Sequence, residues 1–174
     1  MTNFGIVGCG VISSSHAKAI TAIEGAKLLA VCDIIPEKAQ KTAEEYDVPH
    51  TFTDYNKMLE LEDLDVICIC TPSGMHSDHT VLAARAGKHV ICEKPLDITK
   101  EKMDIMIEEC RKNNVKLGGI FQRRAGKNAQ EIKAALSRGE LGKIVLTDAY
   151  LKYYRSQEYY ESAGWRGTWE MDGG

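Results

Sequence analysis

Phe4-Gly5-Ile6-Val7-Gly8-Cys9-Gly10-Val11-Ile12-Ser13 passes from a short apolar run through closely spaced glycines into a helical pattern. Beyond it, Ile12, Ala19, Ile20 and Ile23 recur at helical spacing, and Gly25 sits where a C-terminal cap belongs. Strand, tight turn and helix in this order open a βαβ unit. A dinucleotide fingerprint asks for Gly-x-Gly-x-x-Gly here: one glycine for the turn, one for close approach of a pyrophosphate, one for helix–strand packing. Gly8 and Gly10 meet the first two demands, whereas the third position is Ser13, small but not glycine, which weakens the bare pattern. A helix starting there still offers free N–H groups, from Val11 and Ile12 onward, and a positive dipole end to phosphate.

The next apolar run, Lys27–Cys32, reads as a second strand and ends at Asp33. A carboxylate about twenty residues beyond the glycine loop suits a ribose 2′-hydroxyl. It repels a 2′-phosphate, and no Arg follows it, so NAD is favoured over NADP. A site for S-adenosylmethionine also uses a glycine loop and a ribose-binding acid, and these residues alone leave that rival open.

Working outward, strand-length and helix-period stretches alternate as far as Phe121. Pro36 opens a helix with Ala39, Ala43 and Tyr46 on one stripe. A short helix around Asp54–Leu61 leads into the buried-looking strand Asp65–Thr71. His76–Ala86 is the next helix and His89–Cys92 the next strand. Thr99 caps a helix carrying Met103, Met106, Ile107 and Cys110, with Arg111 and Lys112 in its last turn, and Val115–Phe121 closes the series. Continuously apolar strands between helices predict an α/β fold, a doubly wound parallel sheet covered on both faces.

After Phe121 the character changes. Ala129, Ile132 and Leu136 mark one more amphipathic helix, ended by Gly139. In Ile144–Tyr154 the residues Val145, Thr147, Ala149 and Leu151 alternate, which predicts a long strand with one open side. Seven of the twelve aromatics fall between Tyr150 and Trp169; among them Tyr153, Tyr154, Trp165 and Trp169 suit stacking on a sugar ring, or burial in a subunit interface or core. One helix and one strand do not make a core. Residues 1–121 are therefore expected to form a dinucleotide-binding domain, and 122–174 the opening of an incomplete second domain.

Composition narrows the function classes. The chain has 174 residues, 44% hydrophobic and 27% charged, with 22 Lys+Arg against 25 Asp+Glu. A net charge of −3 leaves no footprint for nucleic acid or a membrane surface. Met1-Thr2-Asn3 carries no basic n-region, so no signal peptide is read and a cytoplasmic protein is expected. Six cysteines without a Cys-x-x-Cys pair read as reduced, buried thiols. Cys92 with His76 and His79 follows no recognised ligand spacing, so no metal is expected.

Thr71-Pro72-Ser73-Gly74-Met75-His76 and Gly87-Lys88-His89-Val90-Ile91-Cys92-Glu93-Lys94-Pro95 each follow or contain a strand end. In an open parallel sheet, ligands lie outside the carboxyl ends of the strands. A lysine beside a positively charged nicotinamide has its ammonium form disfavoured, which suits Lys94 for proton transfer. Glu93 beside it suits hydrogen bonds to cofactor sugar hydroxyls and placement of Lys94. His76 is placed to line the nicotinamide pocket. His16 reads as a partly buried packing residue and His79 as exposed.

With these motifs together, the chain resembles the glucose-fructose oxidoreductase, inositol 2-dehydrogenase and rhizopine catabolism (Gfo/Idh/MocA) family over essentially its whole length. The carriers are Gly8-Cys9-Gly10, Thr71-Pro72 with His76, Ala86-Gly87-Lys88-His89-Val90 and Glu93-Lys94-Pro95. The resemblance implies that Lys94 acts at substrate and nicotinamide and that its bond to Pro95 is cis. It implies that Arg124, in Gln122-Arg123-Arg124, matches the family's arginine at the start of the second domain. It also implies an NAD-dependent dehydrogenase of a secondary alcohol on a sugar, and association of copies through the C-terminal sheet, with Ile144–Tyr154 as contact.

Gly164-Trp165-Arg166-Gly167-Thr168-Trp169, ending in Asp172-Gly173-Gly174, looks like members that oxidise nucleotide-linked uronic acids, with Arg166 able to hold a substrate carboxylate bidentately. The alternatives are a hexose or inositol dehydrogenase of the same family and a non-catalytic nucleotide-binding module. The resemblance further implies that an Asp or His completing the active site follows Gly174. The 174 residues alone are accordingly expected to bind NAD without sustained turnover.

Overall fold

The computed structural model of the chain describes residues 1–173. It contains two compact units, one of Met1–Ile120 joined by the segment that begins at Gly167, the other Phe121–Arg166.

In the first unit, β1 (Thr2–Val7), β2 (Ala26–Cys32), β3 (His50–Phe52), β4 (Val66–Ile69), β5 (His89–Cys92) and β6 (Leu117–Gly119) form one sheet in the order β3-β2-β1-β4-β5-β6. Every pairing is parallel. The expected α/β fold, a Rossmann-type doubly wound sheet, is the one observed. Between the strands run α1 (Ser13–Thr21), α2 (Pro36–Tyr46), α3 (Tyr55–Leu59), α4 (His76–Arg85) and α5 (Lys100–Lys112).

Two cores lie on the two faces of the sheet. Ile67, Ile69, Val90 and Cys92 pack with Met58, Ala83 and Met106 on one side, while Ile6, Leu28, Val31, Cys68 and Cys70 pack with Ala17, Ile20, Ala39 and Ala43 on the other. Successive residues of a strand point to opposite faces, so a strand covered on both must be apolar throughout. All four residues of β4 are buried, and burying each large aliphatic side chain contributes roughly 1.5–3 kcal/mol. The helix boundaries have local causes. Pro36 occupies the first turn of α2. Asp54 and Thr99 cap α3 and α5, accepting the N–H groups of Asn56 and Lys102.

The edge strand β3 carries no strand signal of its own in the sequence. His50-Thr51-Phe52 has no apolar run, and it becomes a strand only by pairing with Ala30-Val31-Cys32 of β2. His79 is also corrected: it is partly buried beside the Tyr55 ring, centroids 5.0 Å apart, with Nδ1 2.7 Å from the Met75 carbonyl oxygen.

The second unit has a 3-10 turn (Gln122–Ala125), the expected helix α6 (Lys127–Ser137) and a short α7 (Gln157–Glu161) that the sequence reading lacked. The predicted strand Ile144–Tyr154 is absent: these residues are irregular and exposed. A strand exists through hydrogen bonds to a neighbour, and none of the described residues pairs with this segment. Ile132, Leu136, Val145, Leu146 and Leu151 consequently stand open to solvent.

Candidate active site

Parallel strands bring the loops after β1, β2, β4 and β5 to one edge of the sheet. The strand order reverses direction between β1 and β4, and the crevice above that point is where doubly wound sheets take their ligands.

The loop after β1 is built for close approach. Gly8 has φ +89°, and a Cβ on it would stand 2.8 Å from the carbonyl carbon and oxygen of Cys70 and from the Thr71 nitrogen. Only glycine lets this turn lie against the β4 loop. A Cβ on Gly10 would meet nothing within 4 Å, so its freedom serves space rather than packing. The N–H groups of Gly10, Val11 and Ile12 have no protein acceptor among the described residues, and the Val11 side chain is 87% exposed. Ser13, the departure from the glycine pattern, is buried and donates its hydroxyl to the Gly10 carbonyl at 2.6 Å. A small side chain that satisfies itself locally fits where glycine is usual.

Asp33 Oδ2 accepts the Cys9 N–H at 2.8 Å and Oδ1 the Ile35 N–H at 2.9 Å. The acid therefore shapes the glycine loop and stays partly exposed at its rim. Thr71 Oγ1, in the loop after β4, is buried without a partner among the described residues.

Glu93, Lys94 and Pro95 follow β5. Glu93 is buried, with Oε1 2.9 Å from His16 Nε2 and Oε2 accepting the Lys94 N–H at 3.1 Å. Lys94 is exposed, and its peptide bond to Pro95 is cis. His76 is 1% exposed, with Nδ1 and Nε2 each 2.8 Å from a carbonyl oxygen, of Pro95 and of Thr71 respectively. It clasps the β4 and β5 loops from beneath. Buried Asp97 accepts the N–H groups of Ser77 and Ile98, both at 2.7 Å, tying the same β5 loop to the start of α4. Spacing gave no signal for the His16 contact, the Asp97 contact or the two contacts of His76, which join residues 77, 20, 19 and 5 positions apart.

The remaining candidates lie elsewhere. Arg124 is exposed in the 3-10 turn, its guanidinium 5.4 Å from the Phe121 ring centroid. Arg166 stacks over Tyr159 at 4.3 Å and Trp165 at 5.1 Å, and its Nε is buried without a hydrogen-bond partner among the described residues. Gly74 N–H donates to the Met171 carbonyl at 2.9 Å, docking the segment from Gly167 against the loop after β4. Gly174 lies outside the described residues. All six cysteines are free and buried. Burial pushes the Cys9 thiol up to about 11 and those of Cys32, Cys68 and Cys92 up to about 12, which removes them as thiolate nucleophiles. No group of three or more His, Cys, Asp or Glu among the described residues is arranged to hold a metal ion. No helix among them is long and apolar enough to cross a membrane.

Residues 2–121 match the oxidoreductase family with an NAD-binding Rossmann fold that includes the Gfo and Idh enzymes and MocA. The chain belongs to this Gfo/Idh/MocA family. It is 33% identical over 139 residues to a myo-inositol 2-dehydrogenase of Thermotoga maritima, covering 80% of this chain and 42% of that relative. The WlbA dehydrogenase of Bordetella pertussis, solved with NADH and UDP-GlcNAcA, superposes with a TM-score of 0.91 at 35% identity, over 98% of this chain and 52% of its own. A scyllo-inositol dehydrogenase of Lactobacillus casei, solved with bound NAD(H) and scyllo-inositol, gives 0.77 at 31% identity, over 82% of this chain and 42% of its own. The chain thus spans about half or less of the length of these Gfo/Idh/MocA relatives. The cofactor of this Rossmann domain is NAD, and the free N–H groups around Gly10 with Asp33 at the rim fit it.

Proposed function

We propose that the protein is an NAD-dependent oxidoreductase acting on a secondary alcohol of a sugar derivative, specifically a nucleotide-linked uronic acid. One observation carries the substrate class. Likeness to the WlbA dehydrogenase runs through 98% of this chain, whereas likeness to the scyllo-inositol dehydrogenase covers 82%. The cofactor domain, residues 2–121, is common to the family, so we assign the additional likeness to the substrate-binding part of the chain. The guanidinium of Arg166, whose Nε has no hydrogen-bond partner among the described residues, is the group we assign to the uronate carboxylate.

Bound NAD supplies a hydride acceptor at the nicotinamide. The N–H groups of Gly10, Val11 and Ile12 hold its pyrophosphate at the start of α1. Asp33 accepts ribose hydroxyls and opposes the extra phosphate of NADP. Thr71, Pro72, His76 and Glu93 form and support the wall at the ends of β4 and β5, and Arg124 adds a cofactor contact. Lys94 takes the proton of the reacting hydroxyl at its Nζ, a role that typically contributes about 10²–10⁴-fold in rate. Residues 1–121 act as the cofactor domain and 122–174 open the substrate domain.

We also assign the protein to the cytoplasm, in keeping with six unpaired thiols. A homo-oligomer would cover the exposed Ile132, Leu136, Val145 and Leu151; light scattering on the intact protein tests this.

The test of function is NADH formation by the intact protein over nucleotide-linked uronic acids, free hexoses and inositols. Turnover confined to the uronic acids is the expected result. Turnover on inositol or hexose alone moves the protein to the alternative dehydrogenases. NAD binding without turnover on any of them makes it a non-catalytic module.

A further inference from the structure

We propose that His16 is a positioning residue for Lys94 and acts through Glu93; the catalytic half of this inference rests on the role given to Lys94 above. His16 is the fourth residue of α1, the helix whose N-terminus opens on the glycine loop. Its Nε2 lies 2.9 Å from Glu93 Oε1, and the two side chains are only 10% and 9% exposed. The other carboxylate oxygen accepts the Lys94 N–H. Where the Glu93 carboxylate accepts at both oxygens, the His16 Nε2 is the donor to Oε1.

The backbone around Lys94 shows why this contact matters. The Glu93 N–H donates to the Ile69 carbonyl at 3.1 Å, the last sheet-type bond before the loop. The next N–H, that of Lys94, is held by the Glu93 side chain instead. Pro95 has no N–H, and its carbonyl oxygen meets His76. Lys94 is therefore suspended between two side-chain contacts rather than pinned by the sheet. Glu93 is a three-torsion side chain folded back on its own successor, and His16 is the group that holds its far oxygen. Without His16 the buried carboxylate loses a donor, reorients, and releases the Lys94 N–H. A phosphate seated on the glycine loop sits at the head of α1, one helical turn from His16. Cofactor seating and Lys94 placement thus share one rigid element.

The test compares His16→Ala and His16→Gln in the intact protein, since the glutamine amide can present a donor where Nε2 stands. Amide hydrogen exchange at Lys94 reads the placement without any turnover, and kcat and the NAD Kd read its consequence. His16→Ala is expected to speed Lys94 exchange about tenfold or more. It is expected to lower kcat by about tenfold or more while the NAD Kd stays within about threefold. His16→Gln restores most of both. Should His16→Ala not fold, His16→Asn, whose donor falls one bond short, takes its place. Unchanged Lys94 exchange in the alanine or asparagine variant overturns the proposal, whatever kcat does. So does a fall in kcat that glutamine does not reverse. Wild-type protein without turnover on any alcohol refutes the proposed function, and the exchange comparison then still decides whether His16 holds Lys94.

Discussion

The carboxylate of Asp33 reaches across 24 positions of sequence to accept the Cys9 N–H at 2.8 Å, in the middle of the glycine loop. The residue expected to read the ribose also fixes the turn expected to hold the pyrophosphate. Cofactor choice and loop shape therefore depend on one side chain. Asp33→Ala should weaken NAD binding about tenfold or more, since two hydrogen bonds to a charged group are lost, and should shrink the preference over NADP. Calorimetric titration with both dinucleotides checks this. Equal affinity of the wild type for NAD and NADP refutes the assignment of Asp33.

Two glycines of one loop should fail differently. Gly8→Ala forces a side chain at φ +89° to within 2.8 Å of the Cys70 and Thr71 backbone, a cost of about 2–4 kcal/mol. Tm should fall by roughly 5–15 °C. At Gly10 a Cβ meets open space, so Gly10→Ala should melt near the wild-type temperature and lose NAD affinity. Thermal melts and NAD titration of both variants separate the two roles.

Lys94→Ala should lower kcat by about 10²–10⁴-fold and leave the NAD Kd within about threefold, because Lys94 is exposed and its one loop contact, to Glu93, is made by the backbone N–H that alanine keeps. A variant with normal kcat would return Lys94 to an ordinary surface turn.

His79 gives the fold a pH dependence. Burial pushes its imidazole below the usual 6.5, against a smaller opposing pull from its bond to the Met75 carbonyl. The unfolded chain then binds the proton more readily than the folded one. Stability is fully present above about 6.5 and falls as pH drops through and below that value. Tm measured from pH 8 to 5 should decline at the acid end, and His79→Gln should decline less.

Much of this arrangement is legible in the sequence because its causes are local. Thr99 announces α5, Pro36 announces α2, and the apolar run His89–Cys92 gives β5 with its observed limits. What escapes is whatever needs a partner elsewhere in the chain. His50–Phe52 becomes a strand only beside β2, and Ile144–Tyr154, strand-like in pattern, finds no neighbour among the described residues. The same holds in the site. Motifs place Gly8, Asp33 and Lys94 at the right edge, but the contacts of His16 with Glu93 and of His76 with Thr71 and Pro95 arise only when the β1, β4 and β5 loops meet.

The central claim is that the carboxyl edge of the sheet, from Gly8 to Lys94, is the NAD site. Amide resonances of the 174-residue chain, followed through a titration with NAD, test it most directly. Saturable shifts are expected at Gly8–Ile12, Asp33, Thr71, Glu93 and Lys94, absent in Gly10→Ala. The fold also carries an open groove of about 540 Å³ beyond α2 and β3, lined by Pro36, Gln40, Thr51 and Phe52. Shifts confined to that groove, or no saturable response to NAD at all, would contradict the account.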